Sequence, residues 1–351
     1  MPATFPRNGI WRTHTTADGL AGLQAMDVVQ DPQGYLWIAT APYGLCRFDG
    51  EEFRTYTRAD GLPGEHVYAL LTDRHGRLWV DTADGGLCWY EGGTFQRPQG
   101  AAACGGSYLF EDDQERIWYT GQQLLGYCQD GQAHDLSAQY LRGSRPPPIL
   151  TCWGMAQDRQ GDLWFSATGL VRYDGERFHW LANTEEFPEP FRGNNAVGRD
   201  GQVGVWVGNA QRLWHWDGER FAARSARVPL LVSAICLDRQ GRSWNCLGGG
   251  GALCRLGDRF HPLTLEDGLA HGTVTRVHED REGLLWFATW GGGVRPGHPA
   301  ALRAGRGAAG TGGAGPDPGP ARTGMAGVRL RVRDVGGRGG PGRAPAGGAV
   351  A

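Results

Sequence analysis

Residues 30–67 read QDPQGYLWIATAPYGLCRFDGEEFRTYTRADGLPGEHV, and this stretch decides the fold because the chain keeps repeating it. Asp31 stands six residues before Trp37. The same interval joins Asp73 to Trp79, Asp112 to Trp118, Asp158 to Trp164, Asp200 to Trp206, Asp238 to Trp244 and Asp280 to Trp286. The tryptophans follow one another at 42, 39, 46, 42, 38 and 42 residues, so the chain carries seven copies of a unit of about 40 residues. Three residues before the Trp stands Gly34, Gly76, Gly161, Gly241 or Gly283, with Glu115 and Val203 as the exceptions.

A second phrase follows in the same unit. Gly44-Leu45-Cys46-Arg47-Phe48-Asp49-Gly50 returns as Gly169-Leu170-Val171-Arg172-Tyr173-Asp174-Gly175, and more loosely as Trp214-His215-Trp216-Asp217-Gly218. An aromatic three residues on (Phe53, Phe95, Phe178, Phe221) opens a last short segment. Each unit therefore reads as four short strands, a to d. Asp-x-x-Gly makes a tight a–b turn, with Asp capping it and Gly taking a positive φ, and Asp-Gly or Glu-Gly makes a c–d hairpin. Four short antiparallel strands per unit of this length specify a β-propeller blade. The Trp packs between blades, and the residue two positions later is small (Ala39, Thr120, Ser166, Gly208, Cys246, Ala288) so that neighbouring sheets can approach. Asp81 is the exception.

The ends predict closure. Trp11-Arg12-Thr13-His14-Thr15-Thr16-Ala17-Asp18-Gly19-Leu20 matches Phe53-Arg54-Thr55-Tyr56-Thr57-Arg58-Ala59-Asp60-Gly61-Leu62, a strand d with its exit loop. The seventh unit, from about Thr273 to Arg295, supplies a, b and c but no d. The N-terminal strand completes it and removes an open edge. The expected fold is all-β: a seven-bladed β-propeller over residues 10–296, after an N-terminal extension at 1–9.

Residues 297–351 differ in kind, with 17 Gly, 12 Ala, 8 Arg and 6 Pro among 55 residues and no aromatic. Such a segment buries too little apolar surface to offset the entropy of ordering, and is expected to be disordered. Its charge, eight Arg against two Asp, suits a basic arm. Out-of-frame translation of GC-rich DNA is the favoured reading, because the break falls in mid-blade after Gly293-Val294-Arg295 and because all 35 Lys/Arg positions of the chain are Arg. Under it the natural protein continues past the ring.

Composition bounds the function. Among 351 residues 40% are hydrophobic and 21% charged, which suits a globular chain, and a net charge of −2 disfavours wholesale nucleic-acid binding. No apolar run is long enough to span a membrane, and the first twenty residues lack the apolar block of a secretory signal. No nucleophile elbow, P-loop, His-Glu-x-x-His or clustered metal-ligand spacing occurs, so neither a catalytic set nor a cofactor is expected.

The phrase Asp-x-x-Gly-x-(Leu/Ile)-Trp-(apolar)-small-Thr, then Gly-Leu-x-Arg-(Phe/Tyr)-Asp-Gly, then Asp-Gly-Leu-Pro, resembles the two-component regulator propeller repeat. The resemblance covers about residues 10–296 and is strongest in units 1, 2, 4 and 7. It implies a non-catalytic extracytoplasmic sensor module of a bacterial receptor, periplasmic, responsive to carbohydrate-like ligands, with propellers pairing into dimers and a histidine kinase or cyclase as output. The chain departs from that family in showing one ring's worth of repeats, no membrane helix and no kinase motif.

Candidate binding residues fall where the units stop repeating, on the rim formed by b–c and d–a loops: Tyr43, His66, Asp84, Trp153, Asn194, Asn195, His271 and Trp290. Aromatic faces with amides and imidazoles suit sugar rings, although loop residues also drift freely. Asp81, a carboxylate at a small inter-blade position, reads as a structural side chain bonded to a neighbouring blade or as a site marker. Cys46, Cys88, Cys128 and Cys254 recur in strand c, too far apart in different blades for disulfides, and read as buried fillers. Cys104 with Cys128 or Cys152, and Cys236 with Cys246, stay open as pairs. Eight thiols without a clear disulfide pattern weigh against an oxidising compartment. Two rival functions remain: a protein-interaction scaffold using the same rim, and a lyase or hydrolase with carboxylates or His converging on the channel.

Overall fold

A computed structural model describes residues 12–101, 105, 108–121, 124–141, 152–166, 169–181, 187, 196–200, 204–208, 212–224, 231–256 and 259–297. Asn194, Asn195, Cys104 and the Gly/Ala/Arg/Pro-rich segment beyond residue 297 lie outside the described residues. Seven antiparallel sheets follow one another along the chain. Blade 1 is β1 (Ala25–Gln30), β2 (Leu36–Thr40), β3 (Gly44–Phe48) and β4 (Phe53–Tyr56); blade 2 is β5 (Val67–Thr72), β6 (Leu78–Thr82), β7 (Gly86–Glu91) and β8 (Thr94–Gln96). Blade 3 is β9 (Tyr108–Glu111), β10 (Ile117–Gly121), β11 (Leu124–Gln129) and β12 (Gln132–Asp135); blade 4 is β13 (Gly154–Gln157), β14 (Leu163–Ser166), β15 (Leu170–Tyr173) and β16 (Phe178–Trp180). Blade 5 is β17 (Ala196–Arg199), β18 (Val205–Gly208), β19 (Leu213–Trp216) and β20 (Phe221–Ala223); blade 6 is β21 (Val232–Leu237), β22 (Ser243–Leu247), β23 (Gly251–Leu256) and β24 (Arg259–Leu263). Blade 7 has three strands of its own, β25 (Val274–Glu279), β26 (Leu285–Thr289) and β27 (Gly293–Gly297). The first strand of each blade lies against the first strand of the next, and β25 returns to β1, so the chain is a closed seven-bladed propeller.

The six-residue Asp-to-Trp interval has a double cause. Asp31 Oδ1 accepts the turn N–H groups of Gln33 and Tyr35, both at 2.9 Å, while Oδ2 accepts the Trp37 indole N–H at 2.7 Å. One carboxylate thus caps the a–b turn and satisfies a buried donor one strand away. The same indole bond occurs at Asp73, Asp112, Asp158, Asp238 and Asp280, at 2.7–2.9 Å. Blade 5 departs from this, with Asp200 Oδ2 2.8 Å from His215 Nε2. Replacing Asp31 by Ala strands the indole N–H and removes the cap, so urea unfolding should show a loss of about 2–4 kcal/mol. Asp31→Asn, which keeps an accepting oxygen, should lose less; equal effects of the two variants would overturn this account.

The small position after the Trp is fully buried at Ala39, Thr120, Ser166, Cys246 and Ala288. At Gly208 an added Cβ would come within 2.8 Å of Val232 in the next blade, which is why side-chain size is limited there. Closure is as expected: His14 N–H donates to Val294 O (2.8 Å) and Val294 N–H to His14 O (3.2 Å), adding an N-terminal outer strand to β27. The His14 ring lies 4.9 Å from Phe48 and stacks at 5.8 Å on Trp286, while Leu20 is buried in the cluster between blades 7 and 1. Among the described cysteines, Cys46, Cys88, Cys128 and Cys254 are buried and free, as strand-c fillers should be.

Candidate functional site

The two rims are built differently. On the a–b rim, arginines following the capping Asp clamp the next blade. Arg74 reaches Glu111 Oε1 (2.8 Å) and Asp112 O (2.5 Å), and Arg239 reaches Asp280 O (2.5 Å) and Arg281 O (2.8 Å). Arg281 closes the circle, its backbone N–H donating to Gln30 Oε1 (2.8 Å) and its guanidinium to Pro32 O. That rim is laced together by its own polar groups.

On the opposite rim stand all five of the large apolar side chains that are exposed among the described residues: Leu23, Tyr43, Leu231, Leu265 and Trp290, at 38–58% exposure. Each lies in a b–c or d–a loop. Three gather at the seam where blade 7 meets blade 1. Residue 22 lies under the Tyr43 ring, where a Cβ would sit 2.2 Å from Tyr43 Cδ2, so any larger residue would have to displace the ring. Leu23 O accepts the N–H groups of Gly291 and Gly293, both at 3.0 Å, and Gln24 bridges to Trp290. His271 borders the patch beside Gly291. Its Nδ1 accepts the Thr273 N–H at 3.1 Å, which leaves Nε2 as the site of the neutral ring's proton.

The residues expected to bind therefore divide. Tyr43, Trp290 and His271 come together at the seam. His66 and Asp84 form a separate pair with Nδ1 and Oδ2 3.7 Å apart, and Asp84 serves mainly to tie loops. It takes the Arg58 guanidinium at 2.6 Å and the backbone N–H groups of Glu65 and His66 at 3.3 and 3.2 Å. Burial raises its pKa, but those donors outweigh it and hold the carboxyl below its ordinary value. Trp153 is half-buried in blade 4, its N–H bound to Ser166 O at 3.0 Å. Asp81 is off the rim, completely buried in β6 opposite Ala69 and Leu87.

A second constellation, unforeseen from the sequence, lies among the innermost strands. Asp27 of β1 is buried and accepts three donors: Val28 N–H (2.8 Å), Leu70 N–H of blade 2 (3.0 Å) and Arg276 Nε of blade 7 (3.1 Å). The Arg276 guanidinium also lies 4.6 Å from the ring centroid of Tyr108 in blade 3, reaching across the ring. Burial pushes the Asp27 carboxyl above its ordinary value, against the pull of Arg276 and the two N–H groups. Burial works to lower the Arg276 pKa too, but Asp27 and Tyr108 more than reverse this and raise it.

All three residues stand ten positions before a blade tryptophan, where the other blades carry Ala69, Gly154, Ala196 and Ala234. A β-bulge precedes that position in blades 1, 2, 6 and 7 and turns its side chain off the regular ladder. Aligning strand a on the Trp would have exposed the three odd residues. Among the described residues no group of three or more His, Cys, Asp or Glu side chains is placed to hold a metal ion.

The comparisons agree with this architecture. The two-component regulator propeller profile matches residues 61–84 and 268–291, each running from a d–a loop through strands a and b into the b–c loop, and the chain carries repeats of this kind. No curated protein sequence matches. Among solved structures, the extracellular domain of a hybrid two-component system from B. thetaiotaomicron is similar with a TM-score of 0.67 at 18% identity, covering 82% of this chain and 41% of that one. The extracellular domain of a one-component system from the same organism follows at a TM-score of 0.66 and 15% identity, covering 82% and 39%. Virginiamycin B lyase from Staphylococcus aureus is similar at a TM-score of 0.61 and 13% identity, covering 82% and 97%. The fold is thus shared by extracellular domains of two-component and one-component systems and by an enzyme, and the chain spans about two-fifths of the extracellular domains it matches. Among the described residues no helix is long and apolar enough to cross a membrane.

Proposed function

We propose that this propeller is the extracytoplasmic, periplasmic sensor module of a bacterial two-component receptor, passing its signal to a histidine kinase or cyclase output module. It binds a carbohydrate-like ligand on the b–c/d–a rim, and pairs with a second propeller. The observation that carries the reading is the division between the rims: one is closed off by backbone-directed arginines, while the other exposes Tyr43, Trp290 and Leu23 together at one seam. Exposed aromatic faces offer stacking surface to the C–H faces of sugars, and His271 adds a polar donor beside them. A scaffold would use the same patch for a protein partner. An enzyme would need free acid–base groups at the axis, where Asp27 and Arg276 instead neutralise each other.

Titrating the propeller with an oligosaccharide panel, read by isothermal titration calorimetry, tests this. A bound oligosaccharide should lose about tenfold or more in affinity with Trp290→Ala and with Tyr43→Ala. If no glycan binds while a protein partner is captured and lost with the same two variants, the scaffold reading replaces it.

A further inference from the structure

The guanidinium of the inner constellation keeps one hydrogen-bonding edge to spare. Arg276 pairs across β25 and β26 with Ala288, two residues short of Trp290, which places it near the b–c/d–a mouth of the ring. Its Nε donates to Asp27 Oδ1 at 3.1 Å, and this is the one hydrogen bond that the guanidinium makes among the described residues. The side chain keeps 15% of its surface open, and neither Nη is among the buried polar atoms that lack a partner, so both reach solvent. The guanidinium carbon lies over the Tyr108 ring, 4.6 Å from its centroid, so the ring covers a face of the fork and not its Nη edge.

The nearby hydroxyls differ in what they have left to offer. Thr275 Oγ1 donates to Ala25 O at 2.7 Å and Ser233 Oγ to Val274 O at 3.0 Å, so both protons are spent on the next blade. Tyr108 Oη has no hydrogen-bond partner among the described residues and is not sealed from solvent either. Burial raises the Tyr108 pKa against the pull of Arg276, so the hydroxyl stays protonated and free to donate.

We propose that Arg276 and Tyr108 form an anion site inside the ring that takes the carboxylate of a small ligand, on the two Nη donors with the Tyr108 hydroxyl as a third. The planar fork presents two parallel N–H groups, the geometry that a carboxylate accepts in bidentate fashion. Charge sets the class of ligand. Asp27 already balances Arg276, and the other five equivalent inner positions hold Ala69, Tyr108, Gly154, Ala196 and Ala234, none of them a cation. A monoanion is tolerated there, whereas a sulfate or phosphate dianion brings a second charge that no further cation meets. A neutral acceptor forgoes the charge-assisted part of the bond. The site uses none of the seam residues, and so stands whether or not the rim binds a sugar.

The test uses the full chain and 2,3-butanedione, which condenses with the two Nη nitrogens of an unprotected guanidinium, with peptides read by mass spectrometry at constant ionic strength. Arg276 of the wild type should react. Acetate at about ten times its half-protecting concentration should slow that reaction about tenfold, and should leave Arg220, whose side chain is 84% exposed, unaffected. Acetamide, the neutral isostere, and sulfate should each protect about tenfold less well than acetate. Asp27→Asn keeps an accepting oxygen for Nε and removes the competing charge, so it should bind acetate about tenfold more tightly. The wild-type protection needs no variant and decides the matter if that one fails to fold. An Arg276 that is unreactive without anion, a reaction that acetate leaves unchanged, equal protection by acetamide or sulfate, or weaker acetate binding by folded Asp27→Asn would each overturn the proposal.

Discussion

Arg276→Met is expected to cost about 3–5 kcal/mol of folding stability in urea unfolding at neutral pH, far more than its neighbours' substitutions. The side chain lost is not on the surface. Its Nε sits 3.1 Å from Asp27 Oδ1, and both side chains are largely withdrawn from water. With the guanidinium gone, Asp27 keeps two backbone donors, Val28 and Leu70, and no counter-charge among those that hydrogen-bond it. A buried carboxylate in that position must be left charged without compensation or take up a proton. Its pKa already lies above the ordinary value because burial outweighs Arg276, and the variant removes the leading opposing effect. The folded variant therefore binds more protons than its unfolded chain above the ordinary carboxylate pKa. Stability then falls as pH rises through that window, and the deficit relative to wild type should shrink on acidification towards pH 4. Asp27→Asn combined with Arg276→Met, which removes both charges, should recover most of the loss. A deficit that stays constant with pH, or a double variant as unstable as Arg276→Met, would show that the ion pair is not the cause.

How much of this could be read from the chain depends on whether a residue repeats. The Asp-x-x-Gly-x-x-Trp phrase recurs because every blade makes the same turn and buries the same indole, so blade number and strand order were legible in Asp31–Trp37 and its copies. Closure was legible because residues 11–20 echo 53–62, and His14 duly pairs with Val294. The inner constellation was not. Asp27, Tyr108 and Arg276 occur once each in positions that elsewhere hold Ala or Gly, and their meaning lies in the exception. Asp81 departs from the small position on strand b, whereas the charged pair sits on strand a, across the ladder from the small position of its own blades. The rim was half legible. Tyr43, Trp290 and His271 meet because loops from opposite ends of the chain share one seam, while Asp84 is held by Arg58 and the His66 backbone N–H of the preceding d–a loop.

Removing residues 1–20 should make the protein aggregate through an opened edge strand and give it a markedly lower melting temperature. The deletion takes away both backbone bonds between His14 and Val294 and leaves the outer edge of β27 without a partner. It also strips the blade 7–blade 1 cluster of Leu20, whose truncation alone would be worth about 2–5 kcal/mol. The rings of Phe48 and Trp286, now covered by His14, become accessible at the same place. An edge strand with apolar side chains beside it pairs with whatever strand is offered, and at high concentration that is a second copy. Light scattering should therefore show concentration-dependent association beyond that of the intact chain. A synthetic peptide spanning residues 11–20 should suppress that association and restore part of the melting temperature by adding its strand back to β27. A peptide with His14 and Leu20 both replaced by Gly should do neither. A deleted protein that associates no more than the intact one and melts where it does would mean that β27 is closed by something other than the N-terminal strand.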